Sequence, residues 1–243
     1  MQLTVQFDIN EPLTLPISYN HILQSILYQT LSTQPHFSDL LHNRGFTYGS
    51  RQYRLFTFSL LEGSYKVRNK RITFYDHVSF EVRSPESYLI RVLCRGFREN
   101  GIVFSRRRIE NVRADMSDVS VEEPDIFVEM RTPIVVYSTD PESRRTTFYT
   151  PVDEEYSLLL NDNFVRKYQA FSDNMPESGV LIEPWQIRNK DKFVTNYKGQ
   201  YITGWKGVYR ISGARKYLDF LYQTGIGGKN AQGFGMFDIL SGE

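Results

Sequence analysis

The chain has 243 residues, 40% hydrophobic and 14% aromatic, with 29 Lys and Arg against 28 Asp and Glu for a formal charge of +1. That length suits one large domain or two small ones, and the composition is that of a folded globular chain. With no run of eighteen apolar residues and a single cysteine, Cys94, the sequence excludes a transmembrane helix, an internal disulfide and a cysteine-based metal cluster, and a reducing cytoplasm is the expected compartment. The near-zero total hides a segregated charge. Residues 41–113 carry fifteen Lys/Arg against six Asp/Glu, residues 117–163 three against eleven, and residues 185–243 nine against four. Basic surfaces able to meet a polyanion are compatible with this, although any single charged run also reads as a solvated face.

The N-terminal MQLTVQFDIN alternates apolar and polar residues over 2–9, which predicts a half-buried strand and not a signal peptide. HILQSILYQTL (21–31) sets Ile22, Leu23, Ile26, Leu27 and Leu31 at helical spacing, with Ser18 or Asn20 as the candidate cap. A short second helix is expected over 36–42. RLFTFSLL (54–61) and RITFYDHVSFEVRS (71–84) read as strands joined by the turn-rich EGSYKVRNK. PESYLIRVLCRGFRENG (85–101) opens on proline and closes on Asn100 and Gly101, a helix with start and stop signals. IVFSRRRIENVRA (102–114) is a further expected strand, and the acidic MSDVSVEEPD (116–125) reads as a linker.

Beyond it the pattern partly recurs. DIFVEM and PIVVYS are short expected strands around Pro133, and DEEYSLLLNDNFVRKYQAF (153–171) is a helix with acids in its first turn. Strands follow near 178–187, 191–197 and 200–212. ARKYLDFLYQTG (214–225) is a helix that stops at glycine, and FGMFDIL (234–240) is the last strand. This order predicts an α+β fold of two tandem ferredoxin-like (RRM-like) domains, 1–120 and 121–243. No sequence repeat relates the halves, so the expectation rests on element order.

Between the last helix and the last strand lies TGIGGKNAQGFGMF (224–237), with Gly225, Gly227, Gly228, Gly233 and Gly235. A dinucleotide fingerprint follows a strand and opens a helix, and its third glycine would fall on Asn230; a P-loop would need Ser or Thr after Lys229, where Asn230 stands. Both patterns fail. What remains is a flexible main-chain cradle. Glycines permit positive φ angles and close approach of a bulky ligand, and their N–H groups can form an anion-binding concavity with Lys229 at its centre. A helix stop and a tight connection would need only one or two of them. HNRG and YDH lack the two-histidine spacing of a zinc helix and the acids form no paired-carboxylate motif, so no metal site is expected.

The glycine-rich stretch resembles the C-terminal loop of the repeat-associated RNA-binding (RAMP) superfamily of CRISPR systems. Together with LPISYNHILQSILYQTL, LLHNRG and RLFTFSL, it is similar to the endoribonucleases that cut precursor CRISPR RNA at each repeat. The resemblance implies CRISPR repeat RNA as substrate, other CRISPR effector subunits as further partners, no membrane and no cofactor, and a monomer or homodimer. It implies metal-independent cleavage, in which the ribose 2′-hydroxyl attacks the adjacent phosphate and leaves a cyclic phosphate and a 5′-hydroxyl. Such a reaction needs a base, an acid and positive charge near the phosphate. A non-cutting RNA-binding subunit of an effector complex is the alternative, and a scaffold without nucleic acid the third.

By resemblance the catalytic histidine follows the first helix, just before a short polar–glycine turn. His42 in LLHNRG fits that place; His36 in QPHF is its rival, while His77 and His21 read as strand and helix-start residues. An unperturbed pKa of about 6.5 suits histidine to proton transfer. Tyr28, the second candidate, lies four residues after Gln24 and seven after His21, on a face off the main apolar stripe. With a pKa near 10 a tyrosine positions the ribose or donates a hydrogen bond more readily than it acts as a base. Arg54 stands where the family often has lysine. It can hold phosphate oxygens bidentately but will not shuttle a proton, which leaves His42 the main burden; Arg51 is close enough to take its role. For RNA binding the expected residues are Gly225, Gly227, Gly228, Lys229, Asn230, Gly233 and Gly235 of the loop, joined by Arg188, Lys190 and Lys192. Lys198 and Lys206 would extend that patch, and Arg106, Arg107 and Arg108 would form another.

Overall fold

A computed structural model describes residues 1–34, 46–49, 51–105 and 107–240. Apolar alternation builds the first strand: β1 (Gln2–Pro16) buries Leu3, Val5, Phe7 and Ile9, then Leu13 and Leu15. The register against its neighbour shifts between Ile9 and Leu13, across Asn10, Glu11 and Pro12; proline cannot donate to the ladder, and an irregularity accommodates it. Helix α1 (Asn20–Ser32) lays Leu23, Ile26, Leu27 and Leu31 into the core. Neither expected cap serves. Tyr19 holds the cap position without a side-chain bond, and Asn20 is buried, its carboxamide donating to the carbonyls of Gln232 (3.2 Å) and Gly233 (3.4 Å) far along the chain.

The expected strand over 54–61 contracts to β4 (Thr57–Phe58), preceded by a small hairpin of β2 (Phe46–Tyr48) and β3 (Arg51–Tyr53). The stretch read as a turn is itself a strand, β5 (Glu62–Arg68), paired with β6 (Arg71–Arg83) through a tight turn at Asn69 and Lys70, both left-handed. All seven residues of β5 are exposed, so it carries none of the apolar alternation by which a strand is recognised. Helix α2 (Ser87–Asn100) buries Leu89, Ile90, Leu93 and Phe97. Residues 102–114 form not one strand but a hairpin, β7 (Ile102–Phe104) with β8 (Arg107–Ile109), followed by β9 (Val112–Ser117).

The second half runs β10 (Asp125–Met130), a hairpin of β11 (Tyr137–Thr139) and β12 (Thr146–Phe148), α3 (Glu155–Ser172), β13 (Leu181–Gln186), a hairpin of β14 (Lys192–Tyr197) and β15 (Gln200–Trp205), β16 (Val208–Ser212), α4 (Arg215–Thr224) and β17 (Phe237–Ile239). The expected strand over 200–212 breaks at Gly207, whose φ of 101° no ordinary strand residue adopts.

The sheet orders are β4-β6-β1-β9 and β13-β16-β10-β17, every pairing antiparallel. The first sheet has β5 as a fifth strand paired to β6; numbering the four strands of each of these orders along the chain, both read 2-3-1-4. With a helix after the first and after the third strand of each set, this is the ferredoxin-like arrangement twice over. The hairpins β11–β12 and β14–β15 are insertions into the second unit. One buried apolar cluster spans Leu3 to Ala114; another spans Val121 to Phe237 and takes in Leu55.

A partly buried ion network ties the sheets together. Arg83, 1% exposed, pairs with Glu81, donates to the Phe237 carbonyl and to Asp238 (2.9 Å), and stacks 3.8 Å over the Tyr222 ring. Arg131 closes it by bridging Glu81 (2.9 Å) and Glu62 (2.5 Å). Burial of these charges is tolerable because each has a partner. Among the described residues no helix is long and apolar enough to cross a membrane.

Candidate functional site

Gln24 and Tyr28 sit one turn apart on α1, beside the buried stripe and not in it. The Tyr28 ring meets Phe56 edge-on, centroids 6.1 Å apart. Gln24 is held from both ends: its Nε2 donates to the Ala231 carbonyl at 2.6 Å, and its Oε1 accepts from the Tyr197 hydroxyl of hairpin β14–β15. Burial pushes the Tyr28 hydroxyl above its usual pKa, against the opposing charge of Arg54 and hydrogen bonds with Gln24 and Arg54. Arg54 leaves the end of β3 and also donates to Gln52 (3.3 Å).

The glycine-rich loop faces these residues and is packed against the rest of the chain. Its N–H groups at Ile226, Gly228, Gly233 and Gly235 donate to the carbonyls of Gly235, Val135, Asn230 and Pro133 at 2.8–2.9 Å, so they do not form an open anion concavity. Close approach explains the glycines better than looseness does. A Cβ on Gly235 would lie 2.0 Å from the Ile226 carbonyl oxygen, and one on Gly227 would lie 2.7 Å from that of Val135, both at φ above +70° or equal to it. Asn230 is the internal tie: its Nδ2 donates to the Ile226 (3.0 Å) and Phe234 (3.1 Å) carbonyls. Its Oδ1 accepts from Lys167 of α3 at 3.1 Å, and the same Nζ donates to the Gly225 carbonyl at 2.6 Å. Lys167 is 3% exposed, and burial pulls its pKa down to about 7.

Between α1, β3, β11, α3 and the loop opens a cleft of about 650 Å³. Tyr28, Arg54, Gly227, Gly228, Lys229 and Asn230 meet there. Arg51, Lys167, Tyr137 and Asn163 also line it, none of them among the first-choice site residues. Its basic groups are Arg51, Arg54, Lys167 and Lys229, with no carboxylate among the described lining residues. The Lys229 ammonium lies 4.9 Å from the Tyr137 ring centroid, and burial lowers its pKa. Such a concavity attracts an anion and offers an aromatic face beside it.

The remaining expected residues lie elsewhere. Gly225, Gly233 and Gly235 are buried behind the cleft wall. Arg188, Lys190 and Lys192 are exposed at the foot of hairpin β14–β15, around a single helical turn at Asn189–Asp191 that Asp191 closes by accepting from the Arg188 N–H at 2.7 Å. Lys198 belongs to a neighbouring chamber of about 290 Å³ that shares Gln24 and Tyr28 with the cleft and also contains His21. His21 Nδ1 donates to the Ser18 carbonyl at 2.9 Å, which leaves Nε2 as the basic nitrogen of the neutral ring. His77 pairs with Asp8 on the surface. Arg107 and Arg108 donate to the carbonyls of Glu11 (2.7 Å) and Asn100 (3.0 Å). His42, its rival His36, the expected helix over 36–42 and Arg106 lie outside the described residues.

Lys167 carried a legible signal that the pattern reading passed over. Tyr156, Leu160 and Phe164 mark the buried stripe of α3 at a spacing of four, and Lys167 continues it three residues later. A lysine in register with core residues needs a buried set of acceptors. Tyr137 and Asn163 gave no comparable signal, since only tertiary packing brings them to the cleft.

Residues 116–239 match the family model described as CRISPR associated protein Cas6, C-terminal. The chain is 24% identical to the CRISPR-associated endoribonuclease Cas6 1 of Methanocaldococcus jannaschii, over 97% of this chain and 91% of that one. It is 26% identical to the CRISPR-associated endoribonuclease Cas6 of Pyrococcus furiosus, over 96% and 86%. A solved structure described as "An RAMP protein binding different RNA substrates" superposes with a TM-score of 0.82 at 21% identity, covering 99% of this chain and all of the other. Two tandem ferredoxin-like units with a shared strand order, a packed C-terminal glycine loop and a family match over half its length lead to one conclusion: this chain belongs to the CRISPR-associated Cas6 family.

Proposed function

We propose that the chain is a metal-independent endoribonuclease that cuts precursor CRISPR RNA within its repeats. The observation that carries this reading is the convergence of Tyr28, Arg54 and the loop residues 227–230 on one cationic cleft without a described carboxylate. The scissile phosphate lies against Arg54, whose planar guanidinium holds two of its oxygens and offsets the charge that builds up in the transition state. Tyr28, kept protonated by burial, donates a hydrogen bond to the ribose or to a phosphate oxygen. His42 carries the proton transfer. The 2′-oxygen loses its proton and bonds to phosphorus, the P–O5′ bond breaks, and O5′ takes up a proton. The products are a 2′,3′-cyclic phosphate and a 5′-hydroxyl.

The test is incubation with the host's repeat RNA in EDTA at neutral pH, with mass analysis of the ends. Cutting to those two ends is expected, and His42→Ala should lower the rate by about 100- to 10,000-fold while binding persists. Intact RNA in the same assay would overturn the reading, and loss of cutting in His36→Ala but not His42→Ala would move the histidine assignment. A second reading, a non-cutting RNA-binding subunit, draws on one observation: burial holds the Tyr28 phenol above its ordinary pKa, so it is no proton carrier near neutrality. Tight binding of uncut RNA would favour it.

A further inference from the structure

The ammonium of Lys167 sits inside the protein with no carboxylate to balance it among the described residues that touch it. Its hydrogen-bond partners among the described residues are all oxygens that can only accept: the Gly225 carbonyl at 2.6 Å, the Asn230 carboxamide at 3.1 Å and, at the outer limit, the Gly227 carbonyl at 3.5 Å. Burying a charge without a countercharge is costly, and a methionine or leucine at this place in the stripe of α3 would fill the same space without that cost. What a methionine could not do is gather three acceptors of one loop around a single point. Asn230 completes the arrangement, because its amide protons are committed to Ile226 and Phe234 and its oxygen is thereby turned toward Nζ.

We propose that Lys167 is a positioning residue: its Nζ is the internal cation around which residues 225–230 fold, and it sets the shape of the cleft wall that Gly227, Gly228 and Lys229 present to RNA. The loop thus needs no external ion to gather its carbonyls, since a helix of the same chain supplies one. Lys167 acts through the loop and not on the reacting atoms, as its donors are directed at the loop's own oxygens. The RNA part of this inference rests on the endoribonuclease reading; the loop part does not.

The experiment compares the full chain with Lys167→Met, which keeps the length and removes the donors, and with Lys167→Ala in the presence and absence of millimolar n-propylammonium. Amide hydrogen exchange over 225–235 and affinity for repeat RNA are read on each. Exchange in Lys167→Met should rise at least tenfold in the loop while α2 and β6 stay protected, and RNA affinity should fall at least tenfold. The added amine should restore both in Lys167→Ala. Unchanged loop protection in Lys167→Met would overturn the inference, as would a loosened loop with undiminished RNA affinity. Should either variant fail to fold, the wild-type Nζ proton spectrum decides: a slowly exchanging ammonium signal that disappears in Asn230→Ala supports the inference, and a signal unaffected by Asn230→Ala overturns it. A wild-type chain that binds no repeat RNA would sink the endoribonuclease reading and leave the loop measurements to judge this one.

Discussion

Tyr28 shows how one side chain's surroundings decide its chemistry. Burial comes first among the causes that raise its pKa above 10.0, and the Arg54 charge only partly offsets it. The neutral phenol is thus the form the fold favours. Its contribution to stability is fully present below pH 10 and is lost as pH rises through the higher folded-state pKa. Across pH 5 to 9 Tyr28 does not titrate, so a Tyr28→Phe variant should cut about 100-fold more slowly, as for loss of one transition-state donor, and keep the shape of the wild-type pH–rate profile. A limb of that profile that vanishes in Tyr28→Phe would show that the phenol, and not a histidine, moves the proton. The placement of Tyr28 was legible in HILQSILYQTL, because helical spacing alone separates it from Leu23, Ile26 and Leu27. The role of Asn20 was not, because its partners lie more than two hundred residues away and look locally like a cap's absence.

At the scale of elements, the glycine-rich loop and the hairpin β14–β15, both expected to meet RNA, stand in different settings. The loop is a packed wall of the cleft. The hairpin places Arg188, Lys190 and Lys192 in solvent, where any contact with RNA is electrostatic and sequence-independent. Replacing all three by alanine should lower the slope of log affinity against log salt by about 2, at about 0.7 per phosphate contact for a single strand, and leave the cleavage rate of bound RNA unchanged. An unaltered salt slope, measured by titrating repeat RNA over a range of KCl, would place the RNA path away from the hairpin. β5, read as a turn, is an edge strand whose residues are all exposed, so it leaves no periodic apolar signal; the strand expected over 200–212 is there but divides into β15 and β16 at the reversal of Gly207.

For the whole molecule, element order was enough to foresee two ferredoxin-like units, because the helices show apolar residues at helical spacing, two of them stop at Gly101 and Gly225, and the strands β1 and β10 alternate strongly. The identical strand order of the sheets could not be read, since β-pairing is a long-range choice. Nor could the ion network of Arg83, Glu81, Arg131 and Asp238 that fixes one sheet against the other. That fixed geometry brings an N-terminal helix, carrying Tyr28, against a C-terminal loop, carrying Lys229. Photocrosslinking tests most directly whether RNA lies between them. The probe is a repeat RNA made uncuttable by a 2′-deoxy substitution at the cleaved nucleotide, with a photoreactive base beside it, and the adducts are mapped by mass spectrometry. Adducts on the peptides carrying Tyr28, Arg54 and Lys229 are expected; adducts confined to the hairpin or to the outer face of α2, with those three peptides unlabelled, would contradict it.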